Sequence, residues 1–162
     1  VSSSPADPVP HRYLPLGVRV EGRHCCVIGG GEIGTRKVQN LLRAGAQVTI
    51  IAPAATARIE ELAASGRITW RQEIFRPEQC AGAFLIVAAS DDPEVNAAVV
   101  RAAGESGALS CDASSSESTQ IIFGALHEQD GMTVAVFSDG RDPGRARRLR
   151  DRIRNLLSGR HS

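Results

Sequence analysis

The clearest chemical signal is six consecutive residues, Gly29-Gly30-Gly31-Glu32-Ile33-Gly34, which fit the spacing G-x-G-x-x-G. Glycines at that spacing do three different things. Gly29 allows a tight turn, Gly31 lets the backbone approach a pyrophosphate, and Gly34 lets a helix pack closely on a strand. An anion then rests on the unpaired N–H groups at the helix start. The motif predicts a dinucleotide site with NAD as cofactor. In such sites a carboxylate commonly ends the next strand and takes the ribose hydroxyls, but this chain has Ile51-Ala52-Pro53 there. Arg36 and Lys37, just beyond the motif, keep NADP open.

Other chemistry-bearing residues are sparser. Cys25, Cys26, Cys80 and Cys111 make no C-x-x-C pair and no His-x-x-x-His accompanies them, so no metal site is expected. Cys25 and Cys26 sit in an apolar run, where free cysteine behaves as a small hydrophobe. His11 and His127 are candidate proton-transfer groups, although a histidine near a turn is usually only solvated. Arg141, Arg145, Arg147, Arg148, Arg150, Arg152 and Arg154 crowd one short segment. Arg147, Arg150 and Arg154 share a helix face at spacings of three and four. They suit carboxylate ligands through paired hydrogen bonds, or a solvated helix face favoured by the helix dipole. Without aromatics the segment offers nucleic acid no stacking platform.

The elements that must hold these residues follow from periodicity. Apolar runs at His24–Ile28, Gln47–Ala52, Ala83–Ala89 and Ala108–Asp112 read as strands, with a short one at Arg67–Arg71. Helical spacing covers Glu32–Ala44, Ala55–Ser65 and Pro93–Gly104, the last capped by Ser90 or Asp91. Strands alternating with helices of about a dozen residues predict a parallel sheet of the Rossmann type. The pattern changes after residue 113. A Ser-rich loop over Ala113–Thr119 leads to two strands, Gln120–His127 and Met132–Ser138, around a turn at Glu128–Gly131, then a helix over Pro143–Leu157.

The expected organisation is a disordered arm over 1–12, an NAD-binding Rossmann domain over 13–113, and a small α+β segment over 114–162. That last segment is too small for a core of its own and suits dimerisation and substrate contact. With 162 residues, 42% hydrophobic and 4% aromatic, the core must be mostly Val, Ile, Leu and Ala. The net charge of +1 favours neither a nucleic-acid nor a membrane partner. No signal peptide and no apolar run of about 18 residues is visible, so a cytoplasmic protein is expected.

The linear order of motifs is more specific than the glycines. Tyr13-Leu14-Pro15-Leu16 precedes Gly22-Arg23, then GGGEIGTRKV, Gly45-Ala46-Gln47-Val48-Thr49 and Ala52-Pro53. Ala88-Ala89-Ser90-Asp91-Asp92-Pro93 with Asn96 follows, and finally Ser138-Asp139-Gly140 with Pro143. This order resembles the precorrin-2 dehydrogenase family, the NAD-dependent module of siroheme synthase, over about residues 13 to 157. The resemblance implies oxidation of precorrin-2 to sirohydrochlorin, with a hydride passing to NAD⁺ and protons to solvent or a side chain. It also implies a homodimer, a tetrapyrrole partner and, in some members, Fe²⁺ insertion. The cofactor candidates are then Gly29, Gly31, Glu32, Ile33, Gly34, Pro53, Ala88, Ala89, Ser90 and Asp91.

The chain departs from that family in three places. Many members carry an Asp just after the last Rossmann strand, implicated in dehydrogenation and chelation. Here that position is Ser114, within an Ala-Ser-Ser run similar to that of dehydrogenase-only members. Asp112 is a candidate substitute, since residues 112 and 114 of an extended strand share a face, or else a solvated strand end. Asp142 stands where the family has a Ser in the tetrapyrrole and metal pocket. It could ligate a metal or take a proton, or cap the helix opened by Pro143, and it would repel a carboxylate-rich substrate. Finally, the chain ends after its first C-terminal helix, as a minimal form or a fragment. The catalytic candidates are Ser114, Asp112 and Asp142; the substrate-binding ones are Arg141, Asp142, Arg147 and Arg150, of which Arg147 and Arg150 match arginines of the family. Two alternatives stay open: a sirohydrochlorin ferrochelatase, and a repurposed member that binds NAD and another acidic small molecule.

Overall fold

Strand β1 (His24–Ile28) carries Cys25, Cys26 and Val27 at no more than 1% exposure. A strand buried on both faces belongs in the middle of a parallel sheet covered by helices, and β1 does. It pairs in parallel with β2 (Gln47–Ile51) on one side and β4 (Leu85–Ala88) on the other. Strands β3 (Thr69–Arg71) and β5 (Leu109–Asp112) complete a five-stranded sheet in the order β3-β2-β1-β4-β5. The computed structural model describes residues 13–115 and 119–159. The arm expected over 1–12, with His11, and part of the Ser-rich loop lie outside the described residues.

Register decides where a site can form. Arg71 pairs with Ile51, Ile51 with Ile28, Ile28 with Ala88 and Ala88 with Asp112. The last residues of all five strands therefore stand in one row. The loops that follow them, including the glycine turn, Ala52-Pro53, Ala89–Asp91 and Ala113-Ser114, leave from the same edge. Strand order reverses between β1 and β4, and open α/β sheets bind ligands at the carboxyl ends beside such a switch point.

Helices cover the sheet. In α1 (Glu32–Arg43), Val38 and Leu41 are buried, and Gly45 at φ +78° turns the chain back into β2. Helix α2 (Ala57–Ala64) buries Ile59 and Leu62. Helix α3 (Pro93–Ser106) packs Val99, Ala102 and Ala103 against Cys26, Ile28, Ile86 and Ala88. Its cap is Asp92, whose carboxylate accepts from Glu94 N at 2.8 Å, rather than Ser90 or Asp91. Pro93 occupies the first helical position, so the residue just before it is the one placed to cap. A single turn of 3-10 helix, Pro77–Cys80, had no periodic signal in the sequence.

The chain divides into two compact units, residues 17–122 and residues 1–16 with 123–162. In the smaller unit, β6 (Ala125–Gln129) and β7 (Met132–Val136) form an antiparallel hairpin. Asp130 and Gly131, at φ +51° and +75°, make its two-residue turn. Helix α4 (Pro143–Ser158) packs on both strands. The first strand was expected from Gln120 but starts at Ala125. Gln120 N and Ile121 N donate instead to Ser110 O, at 3.1 and 3.0 Å, covering the free edge of β5. Among its described residues only Asp139 and Ala146 are buried, while Leu14, Leu16, Met132, Leu149 and Leu156 are exposed.

Candidate dinucleotide site

The four glycines of the turn divide into two kinds. A Cβ on Gly29, at φ +115°, would fall on the carbonyl of Ala89 and within 2.7 Å of Ser90 N. One on Gly30 would fall on Ala54 O and 2.8 Å from Ala55 Cα, and one on Gly34 would fall on the Gly29 carbonyl. These three glycines are required by the protein's own backbone. Gly31 differs: its φ is −75°, and a Cβ there would meet nothing within 4 Å. It occupies the N-cap of α1 without a capping side chain. The space beside it, at the start of a helix with unpaired N–H groups, suits a pyrophosphate. A nicotinamide dinucleotide therefore fits the residues present.

The neighbouring loops are tied to this turn. Gly29 N donates to Ile51 O at 3.0 Å and Thr56 N to Gly30 O at 3.0 Å. Thr35 Oγ1 lies 2.8 Å from Thr56 Oγ1 and donates to Gly31 O at 2.9 Å. Trp70 Nε1 donates to Ala52 O at 3.0 Å, fixing the end of β2 just before Pro53. Glu32 and Pro53 are exposed, and Ile33 is a 41% exposed apolar side chain at the helix start. Of the two basic residues of α1 that kept NADP open, Arg36 is exposed and Lys37 is buried. Burial pushes the Lys37 ammonium below its ordinary pKa, and the nearby Cys111 thiol partly offsets this.

On the β4 side, Ala88 and Ala89 are buried and Asp91 is exposed. Asn96, 1% exposed on α3, accepts from Ser90 N at 3.0 Å and donates to Ser90 O at 2.9 Å. Asn96 also donates to Ser114 Oγ at 3.1 Å. Asn96 stands in the motif order without an evident task, because a lone Asn in a helix carries no signal of what it holds.

Ser114 and Asp112 come together differently from the expectation. Strand β5 stops at Asp112, and Ser114 lies in a bend beyond it, so no shared strand face relates them. The carboxylate itself ends the strand. Asp112 Oδ1 accepts from Ser114 N at 2.8 Å, Ser114 Oγ at 2.6 Å and Ser115 N at 3.2 Å. An aspartate that binds the backbone two residues on folds a turn locally. Oδ2 of Asp112 has no hydrogen-bond partner among the described residues.

The remaining candidates belong to the smaller unit. Asp142 caps α4: its Oδ1 accepts from Arg145 N at 2.7 Å, and Arg148 approaches Oδ2 at 3.9 Å. Arg141 pairs with the buried carboxylate of Asp139 at 3.2 Å, which also accepts from Tyr13 N at 3.1 Å. Arg150 is half-buried and donates to Leu126 O at 2.8 Å, fastening α4 to β6, whereas exposed Arg147 has no partner among the described residues. His127 lies 3.3 Å from Gln129. No group of three or more His, Cys, Asp or Glu among the described residues could hold a metal ion. No helix among them is long and apolar enough to cross a membrane.

A parallel sheet with this switch point, glycine turn and helix start is a Rossmann-type dinucleotide-binding fold. The model of a family described as "Putative NAD(P)-binding" matches residues 16–125, and the chain belongs to that family. Siroheme synthase 3 of Aeromonas hydrophila is 37% identical over 145 residues, covering 90% of this chain and 31% of that protein. Siroheme synthase 1 of Pectobacterium atrosepticum is likewise 37% identical, over 90% of this chain and 30% of its own. The chain thus spans about a third of the length of the curated relatives it matches. Among solved structures, one titled SirC, precorrin-2 dehydrogenase, aligns with a TM-score of 0.76 and 29% identity, covering 93% of this chain and 72% of that one. The family resemblance drawn from the motif order is borne out by sequence and by fold.

Proposed function

We propose that this chain is an NAD-dependent dehydrogenase that oxidises precorrin-2 to sirohydrochlorin. The observation that carries the reading is the cradle at Gly31, set in a fold that aligns with SirC over nearly the whole chain. NAD⁺, when bound, supplies the hydride acceptor, and the remaining hydrogen leaves the substrate as a proton. The glycine turn and the N–H groups of α1 hold the pyrophosphate, and Ile33 and Pro53 offer apolar surface beside it. NAD is favoured over NADP because Lys37 is buried, leaving Arg36 as the only basic side chain of the pair in solvent. Ser114 and Asp112, next to the Ala88–Asp91 edge, serve the reacting face in this reading, and Oδ2 of Asp112, without a partner among the described residues, is the candidate proton acceptor. In the smaller unit, Arg147 is available for a substrate carboxylate, with Arg141 and Asp142 at the turn before α4. The exposed apolar side chains of that unit support a homodimer formed through it. A cytoplasmic setting suits both cofactor and substrate.

The test is incubation of the protein with precorrin-2 and NAD⁺. Formation of NADH together with the sirohydrochlorin spectrum is expected. Binding of NAD⁺ without either product would move the chain to the repurposed reading. Insertion of Fe²⁺ or Co²⁺ into sirohydrochlorin that is lost in Asp112→Ala would add the chelatase activity.

A further inference from the structure

The hydrogen bonds around Asn96 have a direction that backbone chemistry fixes. Ser90 N can only donate, so the Asn96 atom 3.0 Å from it is the carbonyl oxygen. Ser90 O can only accept, so the atom 2.9 Å from it is the amide nitrogen. The amide cannot be flipped without breaking both bonds. Its second N–H then points at Ser114 Oγ, 3.1 Å away. The Ser114 hydroxyl in turn lies 2.6 Å from Asp112 Oδ1, and a carboxylate oxygen accepts, so the hydroxyl proton is committed there. Among the described residues nothing takes the remaining lone pair of Ser114 Oγ, and the residue is exposed. This chain of bonds starts at the Ala89–Ser90 peptide, the same peptide that Gly29 packs against.

We propose that Ser114 meets the ligand as a hydrogen-bond acceptor only, and that Asn96 is the positioning residue that enforces it. The group recognised is an N–H donor. Under the dehydrogenase reading, on which the choice of donor rests, two sources exist: the carboxamide NH₂ of nicotinamide and a ring N–H of the reduced tetrapyrrole.

The experiment compares NAD⁺ with 3-acetylpyridine adenine dinucleotide, which keeps the carbonyl and replaces the NH₂ by a methyl group. Affinities for both, and for precorrin-2, are measured by calorimetry on the full chain, on Ser114→Ala and on Asn96→Ala, each checked for folding by its thermal transition. If the donor is the carboxamide, the wild-type chain prefers NAD⁺ by about two- to tenfold, the worth of one neutral hydrogen bond. Both variants then bring that ratio to about one. If the donor is the tetrapyrrole, the ratio and both dinucleotide affinities are unchanged, and the precorrin-2 affinity of both variants falls by a similar factor. A purely structural role would lower the dinucleotide and precorrin-2 affinities together and leave the ratio unmoved, which would overturn the proposal. Should Asn96→Ala fail to fold, Ser114→Ala decides alone. The proposal is overturned if Ser114→Ala changes neither quantity. A wild-type chain that does not turn over precorrin-2 but loses its NAD⁺ preference in Ser114→Ala would sink the dehydrogenase reading and leave this one standing.

Discussion

Alanine at Gly31 and alanine at Gly34 should separate binding from folding. At Gly31 the new methyl meets no protein atom within 4 Å and the backbone, at φ −75°, is one that alanine adopts freely. Two small effects oppose each other. Restricting the unfolded chain stabilises by about 0.4–1 kcal/mol, while alanine is a poorer N-cap than glycine by roughly 0.5–1 kcal/mol. The net change stays within about 1 kcal/mol, a Tm shift of no more than about 4 °C for a chain of this size. The methyl does, however, enter the space beside the first N–H groups of α1. Losing one charge-assisted hydrogen bond to pyrophosphate, about 1.5–3 kcal/mol, weakens dinucleotide binding roughly ten- to hundredfold. At Gly34 the methyl would overlap the Gly29 carbonyl, a backbone atom that cannot rotate away. Overpacking of that kind costs about 1–3 kcal/mol or more, so the Tm falls by several degrees. Calorimetric titration with NAD⁺ and a thermal melt of both variants read the two effects. Unimpaired NAD⁺ binding by Gly31→Ala, or a melt as low as that of Gly34→Ala, would refute the assignment of the space beside Gly31 to the cofactor.

Arg147→Ala should weaken precorrin-2 binding with an unchanged melt, whereas Arg150→Ala should lower the Tm because the Leu126 carbonyl loses its donor; equal effects on both properties would contradict this division. Asp142→Ala should cost about 1 kcal/mol of cap, and Asp142→Ser should recover it while tightening binding of the polycarboxylate substrate. A large loss of turnover in a fully stable Asp142→Ser would instead place that carboxylate in the chemistry. Alkaline pH should destabilise the fold. Burial pushes Cys25 up to about 11 and Cys26 up to about 12, from 9.0, and also raises Cys80 and Cys111. Above pH 9 the unfolded chain loses thiol protons that the folded chain keeps, so stability falls, by up to about 1.4 kcal/mol per pH unit for each thiol. Lys37, whose folded pKa is lowered, acts in the opposite sense but is a single group. A Tm that holds level between pH 9 and 11 would contradict this, and Cys26→Ala should flatten the decline.

The Rossmann unit was legible because its signals are local. Apolar runs such as Cys25–Ile28 and Leu85–Ala88 have nowhere to go but a doubly covered sheet, and the glycines between β1 and α1 announce the turn. What the sequence did not disclose depends on partners distant in the chain. Gln120 and Ile121 look like the start of a strand until Ser110 offers them its carbonyl. Lys37 keeps NADP open in the sequence, and its burial, near Cys111, shows only once α1 is laid against the sheet. Ser114 and Asp112 are neighbours, but not through a shared strand face: alternation along a strand assumes that the strand continues, and Asp112 ends it. Asn96 could be placed on a helix, but no spacing rule says that a helical amide bridges the ends of two strands.

The packing of Gly29 on Ala89 and of Gly30 on Ala54 bears on how such a protein can diverge. The floor of the glycine turn is main chain pressed on main chain, where inheritance has no room to add even a methyl group. Drift is therefore channelled to positions beside that floor, such as Ser90 and Ser114. Descendants of this fold should keep the floor nearly letter for letter and exchange their chemistry at the edge.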